Sequence, residues 1–470
     1  ISQDRHGIIS RRIEIGRSLW DKPVWMVRVS DNAHLDEDEP EVFYNSLIHA
    51  REGMSLMTLL YYLRYLVQSY PEADSVREVV DSREMYFVPI VNPDGYEINW
   101  QKYNSEGSWG LWRKNARDVN SDSVLDSRDG VDLNRNFDYM WGYDDRGSSS
   151  DSRRNDYRGT GAFSEPESRV IQDFLAGREM VTALNYHSYA NVILYPFNYI
   201  NELPPDSLLY KRLSELLTSD NGYRTGNAAR ALGSTYRANG EMTDWMYGDR
   251  QEKGKIFAWA PEIGTYNDGF WPPAGRITPL AAEHLSMNLW LARFSGFWPV
   301  LDSVIVEFES ADSTRVSLEP VLSNPALVPS SGEVTVRLEV KRYPRELVVI
   351  DSVVVFPSMA LDSPPVSAGN KLRLEFTGNL FGAELAFVVY EAGNRVRSFA
   401  FELEGPALAV DFDLDSDGAV NIFDLLSMLR VLSSGSPSPE QVISHDLDKD
   451  GKVNIFDLLG LLRELSRIFN

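Results

Sequence analysis

A histidine and a glutamate three positions apart, His49 and Glu52, lie where an apolar strand-like run gives way to a helical pattern. Side chains at this spacing across the first turn of a helix lie on the same side, so the pair can bind one metal ion. Such a pair also arises often by chance, since the helix dipole favours a glutamate at a helix start. Its significance therefore depends on residues elsewhere in the chain.

Four longer motifs accompany this pair. They are Asn92-Pro93-Asp94-Gly95, Trp112-Arg113-Lys114-Asn115, Asp132-Leu133-Asn134-Arg135-Asn136-Phe137 and His187-Ser188-Tyr189. Over residues 13–297 these motifs stand in family order, and the sequence resembles the zinc metallocarboxypeptidases of the carboxypeptidase A type. Within that family it is most similar to the bacterial carboxypeptidase T branch.

The resemblance implies one zinc ion held by His49, Glu52 and His187. Three protein ligands leave a fourth position for water, as a hydrolytic zinc site requires. On its own, His187 would be interpreted as a strand-end histidine packed against aromatic residues, and its place in His-Ser-Tyr favours the ligand. Asp132 matches the family carboxylate that fixes the tautomer of the first zinc histidine.

Glu262 lies near the end of the apolar run 256–263, where an unpaired carboxylate is energetically costly. A purely structural role would need a buried cation as its partner. The resemblance implies instead that Glu262 is the general base of a hydrolytic reaction and that Arg113 stabilises the oxyanion. Gly264 stands where animal relatives often have arginine, and because bacterial relatives vary there we interpret the difference as tuning.

The resemblance also implies which residues bind the substrate. Asn134, Arg135 and Tyr236 would bind its terminal carboxylate, for which a planar guanidinium is better suited than an ammonium group. Tyr236 is assigned by its position eight residues before Asp244. Arg51 would contact the peptide upstream of the cleaved bond.

Glu241 and Thr243 lie in a segment that lines the pocket for the C-terminal side chain in relatives. Thr243 would neither neutralise a cationic end nor fully exclude water, whereas Glu241 would pair with a cationic end and still admit an apolar one. The segment therefore predicts acceptance of both apolar and basic C-terminal residues. The alternative is that Glu241 only caps a helix that begins near Met242.

Alternating strand and helix patterns must position these residues. Strands are predicted at 24–29, 42–48, 85–91, 180–186, 192–195 and 256–263, and helices from 54, from 164, at 207–217 and at 279–297. Asn92-Pro93-Asp94-Gly95 predicts a turn, and Ser164 with Glu167 predicts a capping box. The alternation indicates an α/β domain over residues 1–299, with a mixed central sheet and helices on both faces, as in carboxypeptidases.

Residues 300–406 have a different pattern. Short β-type runs at 304–308, 334–340, 347–356, 372–376 and 386–390 are separated by Pro, Ser, Gly and Asn. This pattern predicts an all-β sandwich of the immunoglobulin or fibronectin kind. The segment contains no histidine, and we interpret it as a spacer.

Residues 407–470 contain an internal repeat with oxygen ligands at the loop positions that calcium requires and a glycine at the sixth position. The expected ligands of two calcium ions are Asp413, Asp415, Asp417, Asn421 and Asp424 in the first loop, and Asp446, Asp448, Asp450, Asn454 and Asp457 in the second. The repeat resembles the dockerin type I modules, which are small and α-helical. That resemblance implies that Ile422-Phe423 and Ile455-Phe456 face a cohesin-type scaffold partner.

A second calcium-like pattern lies inside the first domain. Asp118, Asn120, Asp122 and Asp129 have calcium-loop spacing, but Ser123 replaces the expected glycine. A third calcium ion and a flexible acidic loop both remain open as interpretations.

Composition limits the partners and the location. A net charge of −23 argues against nucleic acid and anionic membranes, and the longest apolar helical run, 54–67, is too short to span a bilayer. The absence of cysteine fits an exported bacterial protein as well as a cytosolic one. Because the chain begins with Ile1, we expect that a secretion signal has been removed and that the protein is extracellular, attached to a cell-surface or extracellular complex.

These observations predict a secreted zinc-dependent exopeptidase that removes C-terminal residues from peptides and proteins. One alternative is a peptidoglycan stem-peptide peptidase of the same fold, and another is a non-catalytic, calcium-dependent scaffold subunit. Every implied catalytic position is filled, which favours an enzyme. The pair Asn134-Arg135 favours a substrate with a free α-carboxylate.

Overall fold

A computed structural model describes residues 6–233, 235–308, 315–342, 347–376, 383–403, 412–414, 420–447 and 452–469. The chain divides into two compact units. The first comprises Ile1–Phe297 together with Ala326–Val328, and the second comprises Trp298–Pro325 and Pro329–Asn470.

Eight strands form one mixed sheet in the first unit. They are β1 (Ile13–Arg17), β2 (Pro23–Val29), β3 (Glu41–Asn45), β4 (Glu84–Val88), β5 (Met180–Asn185), β6 (Val192–Leu194), β7 (Arg224–Gly226) and β8 (Phe257–Glu262). Their order across the sheet is β1-β2-β4-β3-β5-β8-β6-β7. The four central strands β4, β3, β5 and β8 are parallel, so their carboxyl ends share one edge of the sheet.

Nine α-helices accompany this sheet among the described residues of the first unit. They are α1 (Gly53–Ser69), α2 (Asp74–Val80), α3 (Pro93–Glu106), α4 (Pro166–Leu175), α5 (Ser207–Leu217), α6 (Ala228–Ala231), α7 (Met242–Gly248), α8 (Ala274–Ala282) and α9 (Leu285–Phe294). Adjacent residues of β3 point to opposite faces of the sheet. Phe43 packs against Phe174 of α4, with ring centroids 5.8 Å apart, and Tyr44 packs against Tyr62 of α1 at 5.5 Å. Helices therefore cover both faces, and the predicted fold class is confirmed.

The second unit contains nine described strands in two antiparallel sheets. They are β9 (Val300–Phe308), β10 (Arg315–Asn324), β11 (Val334–Arg342), β12 (Leu347–Asp351), β13 (Val353–Phe356), β14 (Ser363–Ser367), β15 (Leu372–Phe376), β16 (Ala383–Glu391) and β17 (Asn394–Leu403). One sheet joins β12, β15, β10 and β14, with β9 also paired to β10, and the other has the order β13-β11-β16-β17.

Three described helices follow these strands. They are α10 (Ile422–Ser434), α11 (Pro439–His445) and α12 (Ile455–Phe469). Leu414, Met428, Leu447, Leu461 and Leu465 form their small apolar core. No helix within the described ranges combines the length and apolar character that crossing a bilayer demands.

Several predicted element boundaries are wrong. The Asn-Pro-Asp-Gly segment starts α3 instead of forming a turn, because Asn92 accepts a hydrogen bond from Gly95 N and Pro93 suits the first helical position. Helix α4 begins at Pro166 with Glu165 at its N-cap, so Ser164 does not cap it. The predicted long helix at 279–297 is two helices, which meet at Glu283 and His284.

The chain leaves the sheet earlier than predicted after β3, and this departure positions the first histidine. The strand ends at Asn45, and Leu47 adopts a positive φ of 55° that no strand residue has. Helix α1 then begins at Gly53, where an added Cβ would lie 2.1 Å from the Trp271 ring. A glycine is therefore required directly after Glu52.

Candidate active site

The predicted metal ligands and the predicted base lie together at the carboxyl edge of the central strands. His49 lies in the turn between β3 and α1, Glu52 is the N-cap residue of α1, and His187 follows β5. Glu262 ends β8, and its backbone pairs with that of His187 in an isolated parallel bridge. Parallel strands place ligand-binding residues at this edge because their carboxyl ends meet there.

Two imidazole nitrogens and one carboxylate of the predicted ligands face a common point. His49 Nδ1 lies 2.8 Å from Glu52 Oε1, and His187 Nδ1 lies 3.0 Å from Glu52 Oε2. The two Nδ1 atoms lie 3.1 Å apart, and the three side chains are almost fully buried. Two nitrogens and one oxygen are a donor set that zinc prefers, so these residues fit a zinc ion.

The electrostatics of this cluster suit a cation. Although burial opposes ionisation, the adjacent His49 and His187 rings lower the pKa of Glu52. Burial lowers the pKa of His49, which keeps its ring neutral as a metal ligand must be. Burial opposes a charge on His187, but its hydrogen bond to Glu52 raises its pKa, so a bound metal would take the place of a proton there. The cluster therefore presents one carboxylate and two imidazole nitrogens to the shared point.

Asp132 supports His49 from behind. Its Oδ1 lies 3.2 Å from His49 Nε2, and it caps the short 3-10 helix Leu133–Arg135 by accepting a hydrogen bond from Asn134 N. Although burial opposes ionisation, Arg113 and His49 hold the pKa of Asp132 well below its usual range. An ionised Asp132 beside Nε2 favours a proton there and leaves Nδ1 available to a metal.

Arg113 lies between Asp132 and the predicted metal ligands. Its Nε and Nη2 donate to Asp132 Oδ2 at 3.1 and 2.9 Å, which fixes the plane of the guanidinium. Its Nη1 lies 3.7 Å from Glu52 Oε1, beyond hydrogen-bond distance. Nη1 is thus the nitrogen that a developing negative charge in the cleft can approach.

A cavity of about 40 Å³ adjoins these side chains. Its lining residues are His49, Arg113, Asn134, Arg135, His187, Leu194, Asn198, Ala228, Tyr236, Ala238, Glu241, Ala260 and Glu262. The predicted base, oxyanion residue and carboxylate-binding residues thus share one cavity. Burial raises the pKa of Glu262 to about 7, which suits a group that exchanges protons near neutral pH.

The predicted carboxylate-binding residues are held by contacts that leave donors available. Asn134 Oδ1 accepts a hydrogen bond from Met242 N at 2.9 Å. Arg135 donates through Nε to Gly147 O and through Nη1 to Asn134 O, and its Nη2 has no hydrogen-bond partner within the described chain. Tyr236 is 43% exposed at the rim of the cavity.

Glu241 lines the cavity and also caps α7. Its carboxylate accepts hydrogen bonds from Thr243 N and Asp244 N at 3.2 and 3.0 Å, and from Asn198 Nδ2 at 2.7 Å. Glu241 therefore has both of the roles that the sequence analysis treated as alternatives: it caps the helix and it lines the pocket. Burial and the neighbouring Glu241 carboxyl raise the pKa of Asp244 well above its usual range.

Thr243 does not line the cavity, which corrects its predicted place in the pocket wall. Its side chain is fully buried, and its hydroxyl accepts a hydrogen bond from Asn185 Nδ2 at 3.0 Å. Asn185 also receives a hydrogen bond from Asn45, so its amide group needs an acceptor on the α7 side. Thr243 meets that need and faces the sheet.

A larger cleft of about 630 Å³ lies beside the small cavity and shares Arg113, Arg135 and Tyr236 with it. Arg51 lines this cleft, and its guanidinium lies 4.2 Å from the centre of the Phe270 ring. Three further arginines line it that no sequence motif singled out, namely Arg146, Arg154 and Arg237. They lie in loops without periodicity, so only the folded arrangement reveals them.

The residues of the possible third calcium site converge only in part. Ligand atoms of Asp118, Asp122 and Asp129 lie within 4.8 Å of one another, and Ser123 has the positive φ of 64° expected of a glycine. Asn120 instead donates to Asp122 Oδ2 at 2.8 Å. Arg128 also binds Asp122 Oδ2, at 3.0 Å, so the loop carries its own cation.

In the C-terminal repeat, Asp415, Asp417, Asp448 and Asp450 lie outside the described residues. Asn421 and Asp424 form a capping box at the start of α10, and Asp424 is fully buried. Asp457 is also fully buried and accepts a hydrogen bond from Asn454 N at 2.7 Å. Asp413 and Asp446 lie within the described residues at the start of each loop.

Comparison with known proteins agrees with this fold and site. The zinc carboxypeptidase family profile matches residues 2–287, and the dockerin type I profile matches residues 411–466. The chain therefore belongs to the zinc carboxypeptidase family and carries a C-terminal dockerin type I domain.

Three similar proteins illustrate the match. Mast cell carboxypeptidase A of Mus musculus is 27% identical over 298 residues, which cover 62% of this chain and 67% of that protein. A zinc carboxypeptidase of Saccharothrix mutabilis subsp. capreolus is 30% identical over 288 residues, covering 59% of this chain and 62% of that protein, less than two thirds of its length. The structure of bovine thrombin-activatable fibrinolysis inhibitor in complex with tick carboxypeptidase inhibitor is 26% identical, with a TM-score of 0.51 and coverage of 62% and 92%.

Proposed function

We propose that this protein is a secreted carboxypeptidase that hydrolyses the C-terminal peptide bond of peptides and proteins, with one zinc ion held by His49, Glu52 and His187. The observation that carries the proposal is the shared cavity. One small space is lined by two of the metal ligands, the base Glu262, Arg113 and the donor group of Arg135. A zinc ion bound there would supply Lewis-acid polarisation of the carbonyl and a more acidic water.

The protein's own residues supply the remaining chemistry. Arg135, with Asn134 and Tyr236, binds the terminal carboxylate and so restricts cleavage to the last peptide bond. Glu262 takes a proton from the attacking water and passes it to the leaving amine, for which a raised pKa is suited. Arg113 Nη1 stabilises the negative charge on the former carbonyl oxygen.

The pocket supports a broad choice of C-terminal residue. Leu194, Ala228, Ala238 and Ala260 supply apolar wall, and Glu241 adds one carboxylate. Apolar C-terminal side chains pack against the wall, and basic ones pair with the Glu241 carboxylate, which repels acidic ones.

The C-terminal domain supports a second, non-catalytic activity. Ile422 and Phe423 at the start of α10 are 55% and 58% exposed, and Ile455 and Phe456 at the start of α12 are 54% and 41% exposed. Exposed apolar side chains at equivalent positions of a repeat suit a protein partner. We therefore propose that this domain binds a cohesin-type scaffold in a calcium-dependent manner, within an extracellular complex. We also propose that Asp118, Asp122 and Asp129 of the first unit bind a third calcium ion.

A matched pair of substrates tests the enzymatic proposal. The zinc-loaded protein should release the free C-terminal amino acid from an N-blocked Phe-Leu dipeptide. It should leave the same dipeptide with a C-terminal amide intact, because the amide removes the charge that Arg135 binds. Equal cleavage of the acid and the amide would contradict the proposal. So would a failure to cleave the acid by protein that contains one equivalent of zinc.

A further inference from the structure

The larger cleft carries a charge opposite to that of the whole protein. Six arginines and one aspartate line it, a net of five positive charges, whereas the whole chain carries −23. The six are Arg51, Arg113, Arg135, Arg146, Arg154 and Arg237. Like charges around one concave space raise each other's electrostatic energy, and an anion bound there relieves that repulsion.

Internal ion pairs remove only part of this charge. Arg113 is paired with the buried Asp132, and Arg154 is paired with Asp156, the one acidic residue of the cleft lining, at 2.9 Å. Arg146 is exposed and forms no salt bridge with any acidic residue that the structure describes. The cleft therefore keeps positive charge that the protein does not neutralise itself.

The fold of the loops does not depend on the Arg146 guanidinium. Asp144 Oδ1 fixes the backbone there by accepting hydrogen bonds from Arg146 N and Gly147 N and from Asn239 Nδ2, at 2.8 to 3.1 Å. Arg237 donates through Nη1 to the backbone oxygen of Tyr236, so it lies next to a residue of the proposed carboxylate site. Arg146 can therefore be replaced without removing a hydrogen bond on which the cavity wall depends, whereas replacing Arg237 also removes a contact to Tyr236.

The position of the cleft identifies the anion. The small cavity takes the C-terminal residue, and the cleft shares its walls at Arg113, Arg135 and Tyr236 while extending to Arg51. The part of a bound polypeptide that leaves the small cavity must therefore pass through the cleft. Carboxylate side chains on that part are the groups that arginines recognise best.

We infer that the enzyme prefers polypeptides with Asp or Glu among the few residues upstream of the cleaved bond. Arg146 and Arg237 are the residues that determine this specificity. The inference rests on the proposed carboxypeptidase activity, and it concerns the upstream residues only. The C-terminal residue itself is selected in the small cavity, where Glu241 disfavours acidic ends.

Two blocked peptides that end in the same Phe, one with three Glu and one with three Gln upstream, test this inference. The Glu peptide should have about tenfold higher kcat/KM at low ionic strength, at the lower end of the effect of a charged cleft on encounter. Added salt should reduce this ratio, since ions screen exposed charges. Equal kcat/KM for the two peptides at low salt would overturn the inference.

Variants locate the effect. Arg146→Gln should reduce the ratio by lowering kcat/KM for the Glu peptide, with little change for the Gln peptide, and the double variant Arg146→Gln with Arg237→Gln should remove most of the ratio. Arg153→Gln is the matched control, because Arg153 is exposed, is paired with Asp151 and does not line the cleft. A ratio that survives the double variant, or falls equally with the control, would contradict the assignment.

Measuring peptide affinity without turnover distinguishes a failure of this inference from a failure of the proposed activity. Calorimetry on zinc-loaded Glu262→Gln protein measures the affinity for both peptides without turnover. A Kd about tenfold lower for the Glu peptide supports the inference even if wild-type protein cleaves neither peptide, and equal Kd values overturn it even if both are cleaved.

Discussion

The Nδ1 atoms of His49 and His187 lie 3.1 Å apart, with the Glu52 carboxylate within 3.0 Å of each. Residues 49 and 187 are 138 positions apart along the chain, and the parallel pairing of β3 with β5 brings them together. Asn45 and Asn185 are register partners at the ends of these strands. The geometry of the predicted metal ligands is therefore set by the sheet register.

Replacing Asp132 should weaken zinc binding without abolishing it. Asp132→Asn removes the negative charge that favours a proton on His49 Nε2 and leaves Arg113 without its partner. Supporting carboxylates of this kind contribute about 10–100-fold to metal affinity. Zinc titration against a chromophoric chelator measures the change, with Asp151→Asn at an exposed ion pair as the control. Unchanged affinity would show that Asp132 only anchors Arg113.

Glu262→Gln should separate binding from chemistry. The variant keeps the size and burial of the side chain but no longer exchanges a proton, so kcat should fall by about 10²–10⁴-fold. Zinc content should stay at the wild-type value, since Glu262 is not among the predicted metal ligands. Turnover near the wild-type rate would remove Glu262 from its role as the base.

Local motifs predicted the metal ligands, the base and the fold class, of which the fold class is confirmed and the predicted ligands and base lie together in one site. His49, Glu52 and His187 each lie in a short segment whose chemistry is visible without knowledge of the fold. Arg146 and Arg237 carry no such signal, because their shared cleft forms only when two loops meet. The helix cap formed by Glu241 was predictable from the local sequence. The orientation of the Thr243 side chain toward Asn185 was not, because it depends on how α7 packs against the sheet.

The strands β10, β14 and β17 were missed for physical reasons. β14 has the sequence Ser-Pro-Pro-Val-Ser, and proline argues against a strand because it lacks a donor. Among the described strands, β14 pairs with β10 alone and lies at the edge of its sheet, where a missing donor is tolerated. β10 also contains a proline, Pro320, and in β17 the charged Arg397 has the same parity as Phe399 and Phe401, which obscures the alternation of polar and apolar residues.

Calcium removal should affect the C-terminal domain and leave the catalytic unit active. Asp424 and Asp457 are fully buried, and each loop contains three further aspartates among its expected ligands. Without a cation these clustered carboxylates repel one another. A calcium-selective chelator should make residues after 411 sensitive to protease in the full-length chain. Hydrolysis of a blocked dipeptide should be unchanged. Protease resistance that persists in the chelator would contradict calcium-dependent folding.

Stability should fall as pH rises from about 4.5 to about 7, and Glu167 is one of the buried carboxyl groups that contribute to this fall. Burial, assisted by the nearby Asp94 carboxylate, raises the pKa of Glu167 from 4.5 to about 7. Between these values the folded protein binds a proton that the unfolded chain has released, so raising the pH favours unfolding, by about 3 kcal/mol in total. Glu167→Gln should flatten this part of the pH profile in urea unfolding, whereas Glu72→Gln, at an exposed position, should not. A profile unchanged by Glu167→Gln would assign the pH dependence to other groups.

Glu241→Gln should alter the choice of C-terminal residue more than it alters stability. A glutamine oxygen in the Oε1 position still accepts hydrogen bonds from Asp244 N and Asn198 Nδ2, and only the longer bond from Thr243 N is lost, so the cap on α7 is largely retained. The variant loses the negative charge that Glu241 places beside the apolar wall formed by Leu194 and three alanines in the small cavity. kcat/KM for peptides that end in Arg or Lys should therefore fall by ~1–2 kcal/mol of transition-state stabilisation, while peptides that end in Leu should be unaffected. Unfolding temperature is the control for the cap. Equal losses on Leu-ended and Arg-ended substrates would show that Glu241 acts through the helix alone.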